Sequence, residues 1–214
     1  MLHLGAEVVF VDVGPATFNI DTHEVARKIT PRTRAIIPVH LFGLCADMDA
    51  LAAIAGNIPL VEDAACATGA TYKNRSSGSL GRAAAFSFHP RKIVTTGEGG
   101  MVTTNDDTLA ENMRSLRNHG ASISEEQRHR GPKPYIVPEF ERLGFNYRMT
   151  DFQGAVGLVQ LAKLDAFLEE RRHWATFYVE STTTFVLTAL WAMARLPLLL
   201  SSQGRPTRAN RSKS

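Results

Sequence analysis

The chain's 214 residues suit one ordinary domain, or one and a half, and can bury a sizeable core. With 44% hydrophobic and 21% charged residues the composition is globular, which excludes disorder as the main state. The net charge of +3 owes much to the last ten residues, Arg205 to Ser214, which hold four Lys/Arg and no acid, so the rest is close to neutral and no nucleic-acid partner is expected.

In chain order, Ala6 to Val13 reads as a strand (V-V-F-V-D-V) closed by Gly14-Pro15. Asp21 or Thr22 then caps a helix through Lys28, which Pro31 ends. Arg34 to Val39 is a second apolar strand. Asp47 to Ala55 has helical spacing, with Met48, Leu51, Ala52 and Ala55 on one face. Two more strands follow at Ile58 to Val61 and Ala83 to Phe88. Met101 to Thr104 returns as a short strand after a glycine turn, and Thr108 to Asn118 is a helix. Ser122 to Glu139 is polar, basic and proline-bearing with no period, and reads as a flexible surface excursion. Asp151 to Arg172 reads as helical throughout, with Val156, Val159, Leu161, Leu164, Phe167 and Leu168 as apolar positions. Strands alternating with helices argue for a doubly wound α/β sheet.

Beyond Tyr178 the character changes to an apolar stretch and then a basic low-complexity end. Phe185 to Leu200 is only 16 residues long and carries Arg195 and Pro197. It falls short of the ~20 residues a membrane span needs, so no membrane partner is expected. Cys45 and Cys66 make no disulfide scaffold. With no C-x-x-C or Cys/His cluster, no metal is expected either. The N-terminus lacks signal-peptide character, and a cytoplasmic location fits.

The stretch Phe86 to Gly100, F-S-F-H-P-R-K-I-V-T-T-G-E-G-G, carries the strongest chemical signal. It starts at the end of a buried strand; Pro90 stops further pairing, and Gly97, Gly99 and Gly100 allow a tight bend. Lys92 therefore sits on a loop at the edge of a sheet, where partial desolvation can free an amine as a nucleophile. Upstream, I-P-L-V-E-D-A-A-C-A-T-G-A (Ile58 to Ala70) puts Glu62 and Asp63 at a strand end, followed by small residues that permit close approach. Ligands of parallel α/β sheets gather at the carboxyl ends of strands. A lysine and an acid converging there suit pyridoxal phosphate (PLP), which needs a Lys Schiff base and an acid partner for its pyridinium nitrogen.

Four blocks carry a family resemblance: V-E-D-A-A (from Val61), S-F-H-P-R-K (from Ser87), G-E-G-G-M-V-T-T-N-D (from Gly97) and G-F-N-Y-R-M-T-D-F-Q-G-A (from Gly144). In this order they resemble the DegT/DnrJ/StrS-type PLP-dependent sugar aminotransferases, over roughly Leu4 to Tyr178. The resemblance implies an α/β, fold-type I (aspartate aminotransferase-like) large domain, incomplete, with a central mostly parallel sheet flanked by helices. It divides the chain into a partial PLP-binding domain (1–145), the start of a small C-terminal domain (146–180) and a divergent tail (181–214).

The implied activity is transfer of an amino group from an amino acid, glutamate, to a nucleotide-linked keto-sugar. Lys92 is then the catalytic residue and covalent cofactor anchor, and Asp63 pairs with the ring nitrogen; the alternative for Asp63 is a helix N-cap. Ser87 matches a hydroxyl donor to the cofactor phosphate, or else satisfies a neighbouring backbone group. Cys66 stands where the resembling enzymes usually carry a glutamine on the ring hydroxyl, and a thiol donates only weakly there. Asn146 matches a residue reaching the phosphate bound by a partner subunit, or is a turn asparagine after Gly144. Arg148 could meet substrate carboxylate or phosphate, or form a surface ion pair. His89 could touch cofactor or substrate, or be a core histidine. Glu98, His40 and His119 receive no role. The resemblance also implies a homodimer with shared sites. Relative to the family, the resemblance implies a chain short at the front and replaced at the tail. Two other readings remain: a PLP-dependent sugar dehydratase on the same fold, and a catalytically inactive fragment.

Overall fold

The structure, a computed structural model, describes residues 2–123, 125–132, 135 and 137–181. Of the expected tail, 181–214, all but Ser181 lies outside the described residues. Backbone packing gathers the chain into two units, Met1–Phe167 and Leu168–Ser214. The elements, in chain order, are α1 (Thr22–Lys28), α2 (Met48–Ala55), β1 (Val61–Asp63), β2 (Thr71–Tyr72), β3 (Arg75–Ser76), β4 (Ala83–Ser87), β5 (Gly100–Thr103), α3 (Asp107–Leu116), α4 (Glu125–Arg130), α5 (Asp151–Leu161) and α6 (Leu164–Ser181).

The first helix starts where the sequence places its cap, and the second begins one residue after Asp47, which caps it. Asp21 accepts from the backbone N–H of His23 and Glu24, and Asp47 accepts from that of Ala50. Their inner faces meet in one apolar cluster of Val25, Ile36, Ala46, Met48, Leu51, Ala55 and Leu60. Ala52, expected on that face, is exposed, and Ile54 packs against the cluster instead.

The central sheet has the order β1-β4-β5. β1 and β4 are parallel, with Glu62 opposite Ala84 and Asp63 opposite Ala85; β4 and β5 are antiparallel. Residues 36–40 run beside β1 and extend the parallel part, through Ile36 N–H to Pro59 O, Val61 N–H to Ile36 O, Asp63 N–H to Pro38 O and His40 N–H to Asp63 O. Only two isolated bridges form there, Ile36–Leu60 and Val39–Asp63, because Pro38 has no N–H to give the ladder. The expected second strand is thus present as a pairing line, interrupted by its own proline. The short hairpin of β2 and β3 was not legible in the sequence. Its two-residue turn, Lys73-Asn74, takes φ of 47° and 65° without a glycine. Tyr72 Oη donates to Asp47 Oδ1 at 2.7 Å, and Lys73 and Arg75 pair with Asp49, which fixes the hairpin to the start of α2.

Three expectations are corrected. Ala6 to Val13 forms no strand: a single bridge, Val13–Ile20, is its only pairing among the described residues, and Val9 and Phe10 are exposed. Strand propensity needs a ladder partner to become a strand; here single groups serve the run's carbonyls instead, Asp21 N–H at Asp12 O and Lys28 Nζ at Phe10 O. The helix expected to run unbroken from Asp151 divides at Ala162-Lys163, where Lys163 N–H turns back to Gln160 O. The 122–139 excursion contains α4, whose last turn carries Arg128, His129 and Arg130, a favourable placement of cations at a helix C-terminus. In the second unit, described through Ser181, the α6 residues His173, Trp174, Phe177 and Tyr178 meet ring to ring edge-on.

Candidate active site

Alternation along the strands decides what the sheet offers on each face. Glu62 and Ala84 point inward and are fully buried, whereas their successors Asp63 and Ala85 face the other way, where Ala85 is exposed. Ser87, two residues on, shares the Asp63 face.

After β4 the chain enters the Lys92 loop, held from both sides. Buried Phe88 donates its N–H to Gly99 O at 2.9 Å, and its carbonyl accepts from Thr96 N–H and Thr95 Oγ1, both at 3.0 Å. Val94 is buried beneath the loop. Lys92 N–H closes a turn onto His89 O at 2.9 Å. At the loop's end Gly100 lies against β4 so closely that a Cβ would sit 2.6 Å from Phe86 O. From behind, Gln153 of α5 donates to Glu98 O at 2.9 Å, and the helix start is fixed by a reciprocal Thr150–Gln153 capping box.

This loop brings Lys92 Nζ within 3.1 Å of Cys66 Sγ, in the turn that follows β1. Three residues before Cys66, Asp63 Oδ1 accepts the N–H of Ala65 at 3.1 Å and so holds that turn. Asp63 therefore does cap local backbone, though no helix follows, and its carboxylate lies at the carboxyl end of a parallel strand. Ser87 Oγ accepts from His89 N–H at 3.4 Å; His89 Nδ1 accepts from Arg91 N–H, and its Nε2 lies 3.9 Å from Glu98. His89 is half-exposed, which removes the core-histidine reading.

Behind the Asp63 face lies a buried, hydrogen-bonded carboxylate absent from the sequence-based set. Glu62, fully buried, accepts from His40 Nε2 at 3.0 Å and from the N–H groups of Gly78, Leu80 and Gly81, each at 2.7 Å. Burial works to raise its carboxyl, but the His40 bond and the three backbone donors together hold it below the usual glutamate range. His40 Nδ1 accepts from Ala46 N–H at 3.2 Å, so the ring proton is on Nε2, aimed at Glu62. The carboxylate thus ties β1 to the loop after β3 and to the segment after residue 39. Its sequence signal was alternation: Glu62 falls in phase with buried Leu60 and Ala64.

Asn146 and Arg148 are tied instead to Asn118. Residue 146 bridges Asn118, and Arg148 Nη1 donates to Asn118 Oδ1 at 2.7 Å; both Asn146 and Arg148 are exposed. Among the described residues no hydrogen bond joins them to Asp63, Cys66 or Lys92. Asn118 also lines a hollow of about 260 Å³ with His119, Ile123, Arg128 and Phe140, and no residue of the Lys92 loop lines it. Among the described residues no group of three His, Cys, Asp or Glu is placed to hold a metal ion, and no helix is long and apolar enough to cross a membrane.

The acid at the end of β1 and the lysine loop that follows β4 lie at the carboxyl ends of neighbouring parallel strands, where α/β sheets present groups to ligands. The comparisons narrow this. The sequence model of the DegT/DnrJ/EryC1/StrS aminotransferase family matches residues 1–189, and the chain belongs to that family. Among curated relatives, GDP-perosamine synthase of Caulobacter vibrioides is 48% identical over 178 residues, 82% of this chain and 45% of that protein. Among solved structures, the aminotransferase of Psychrobacter cryohalolentis is 43% identical with a TM-score of 0.70, covering 76% of this chain and 42% of that one. Spr1654 of Streptococcus pneumoniae, solved in a PLP form, is 30% identical with a TM-score of 0.75, covering 84% and 49%. The chain spans about half the length of the relatives it matches.

Proposed function

We propose that this chain carries the lysine and carboxylate of a PLP-dependent aminotransferase that moves an amino group from glutamate to a nucleotide-linked keto-sugar. The observation that carries the reading is the contact of Lys92 Nζ with the turn that Asp63 begins. The residues fit the cofactor: beside the Asp63 face with its exposed Ala85, the side chains the following turn leaves uncovered are small, Ala65 and Cys66, which leaves room for a flat ring. PLP, when bound, supplies the electron sink that makes the substrate's α-proton removable.

Lys92 would hold the cofactor covalently and then move the proton between the two carbon centres. Asp63 would keep the ring nitrogen protonated, and the Ser87 hydroxyl would donate to the phosphate. The Cys66 thiol would face the ring hydroxyl, where it donates weakly. His89 would border the substrate. Asn146 and Arg148, exposed and with no hydrogen bond to Lys92 among the described residues, suit the site of a second copy: Asn146 toward its phosphate and Arg148 toward a substrate carboxylate or phosphate. That assignment makes the working unit a homodimer.

The test is the absorbance spectrum of the purified chain with added PLP, followed by glutamate. A lysine-bound cofactor band that converts to the aminated form on glutamate, and is missing in Lys92→Ala, supports transamination. A band that glutamate leaves unchanged points to the dehydratase reading. With no band at all, this half-length chain is an inactive piece.

A further inference from the structure

The contact that supports the cofactor reading has a second chemical consequence. Lys92 Nζ and Cys66 Sγ lie 3.1 Å apart, within the range at which reacting atoms meet in a near-attack arrangement. Cys66 is exposed, so a small oxidant can reach its sulfur. Both residues sit on fixed backbone: the turn after β1 is held by Asp63, and the Lys92 loop by Phe88 and α5. Cys45 provides an internal contrast. It is buried, and burial, with Glu62's charge adding to it, pushes its thiol up, away from the reactive thiolate form.

We propose that Cys66 and Lys92 form a peroxide-driven, thiol-reversible covalent link that takes the lysine amine out of service. In the first step sulfur attacks hydrogen peroxide. An S–O bond forms, the O–O bond breaks, and water leaves; sulfur loses two electrons and peroxide gains them, giving a sulfenic acid on Cys66. In the second step the neutral Lys92 amine attacks that sulfur. An N–S bond forms, the S–O bond breaks, and the departing hydroxide takes the amine's proton as a second water. A free thiol reverses the link by attacking sulfur and releasing the amine; a second thiol then frees Cys66 from the mixed disulfide. If Lys92 anchors PLP as proposed above, this link and cofactor attachment are mutually exclusive.

The experiment reads mass, not activity, so it stands or falls independently of the PLP reading. The full chain, without cofactor, is treated with hydrogen peroxide and then digested with trypsin plus an Asp-specific protease. That digest separates Cys45, in Ala35 to Ala46, from Cys66, in Asp63 to Lys73. The expected product is the Asp63 to Lys73 peptide joined to one beginning at Lys92. It should be lighter than the sum of the two by two hydrogens, about 2 Da, and separated by dithiothreitol. It should be missing in Cys66→Ser. In Lys92→Gln, Cys66 should instead accumulate as a dimedone-trapped sulfenic acid, which shows that the variant still presents an oxidisable sulfur. Added oxygens on Cys66 with Lys92 unmodified, a disulfide between chains, or a joined pair retaining oxygen would each overturn the proposal.

Discussion

Replacing Glu62 with glutamine tests whether the buried carboxylate holds the sheet and the loop after β3 together. The side chain is fully buried and accepts four hydrogen bonds, two at each oxygen: Leu80 and Gly81 N–H at Oε1, His40 and Gly78 at Oε2. A glutamine amide keeps only one acceptor oxygen. In either orientation its NH₂ faces two donors, Leu80 with Gly81 or His40 with Gly78. His40 cannot relieve the conflict by moving its ring proton, since Nδ1 already accepts from Ala46 N–H. Each buried donor left unmet costs about 1–3 kcal/mol, so Glu62→Gln should destabilise the chain by about 2–6 kcal/mol. That is a large share of a total of about 5–15 kcal/mol for an ordinary domain. Urea unfolding followed by circular dichroism measures it through the shift in midpoint at constant slope.

The pH dependence has a definite sign. The Glu62 carboxyl is held low in the folded chain, so the unfolded chain binds its proton first as pH falls. This part of the stability is therefore complete above the ordinary glutamate range and lost as pH drops through the lower folded value. The gap between wild type and Glu62→Gln should narrow on acidification. A loss below about 1 kcal/mol, or a gap independent of pH, would refute the argument, because one ordinary net hydrogen bond is worth that much.

Other consequences follow from single contacts. Asp47→Ala removes both the cap of α2 and the partner of Tyr72 Oη, and should lower stability by about 1–2 kcal/mol in the same urea assay. Gly144→Ala drives a Cβ into the Gly120 backbone and should destabilise by about 1–3 kcal/mol, read as a fall in thermal midpoint. Cys66→Gln exchanges a weak donor for an amide and should tighten PLP binding about tenfold at most, the worth of one neutral hydrogen bond, in a fluorescence titration.

The parts legible in the sequence were those with local causes. Asp21 announced the first helix as a cap, and the apolar period of Met48, Leu51 and Ala55 announced the second, since each signal lies within a few residues. The Pro90 and glycine punctuation around Lys92 announced the loop after β4 for the same reason. What failed depended on partners. The run from Ala6 to Val13 has strand composition, but composition does not supply a neighbouring strand. Asp151 to Arg172 has helical residues throughout, and the turn at Ala162-Lys163 carries no glycine or proline to mark it. The Glu62–His40 pair joins residues 22 positions apart, and no spacing rule brings them together. Only the phase of Glu62 with Leu60 and Ala64 hinted that a carboxylate had to be satisfied inside the sheet. The Lys92–Cys66 contact was also out of reach, although both residues had been singled out separately.

The central claim is that Lys92 is the residue to which PLP becomes attached on this chain. Incubation with PLP, borohydride reduction and peptide mapping read that attachment directly. The account predicts one reduced adduct, on Lys92, absent from Lys92→Ala and diminished in Asp63→Asn. Adducts scattered over surface lysines, or one concentrated on another residue, would contradict it.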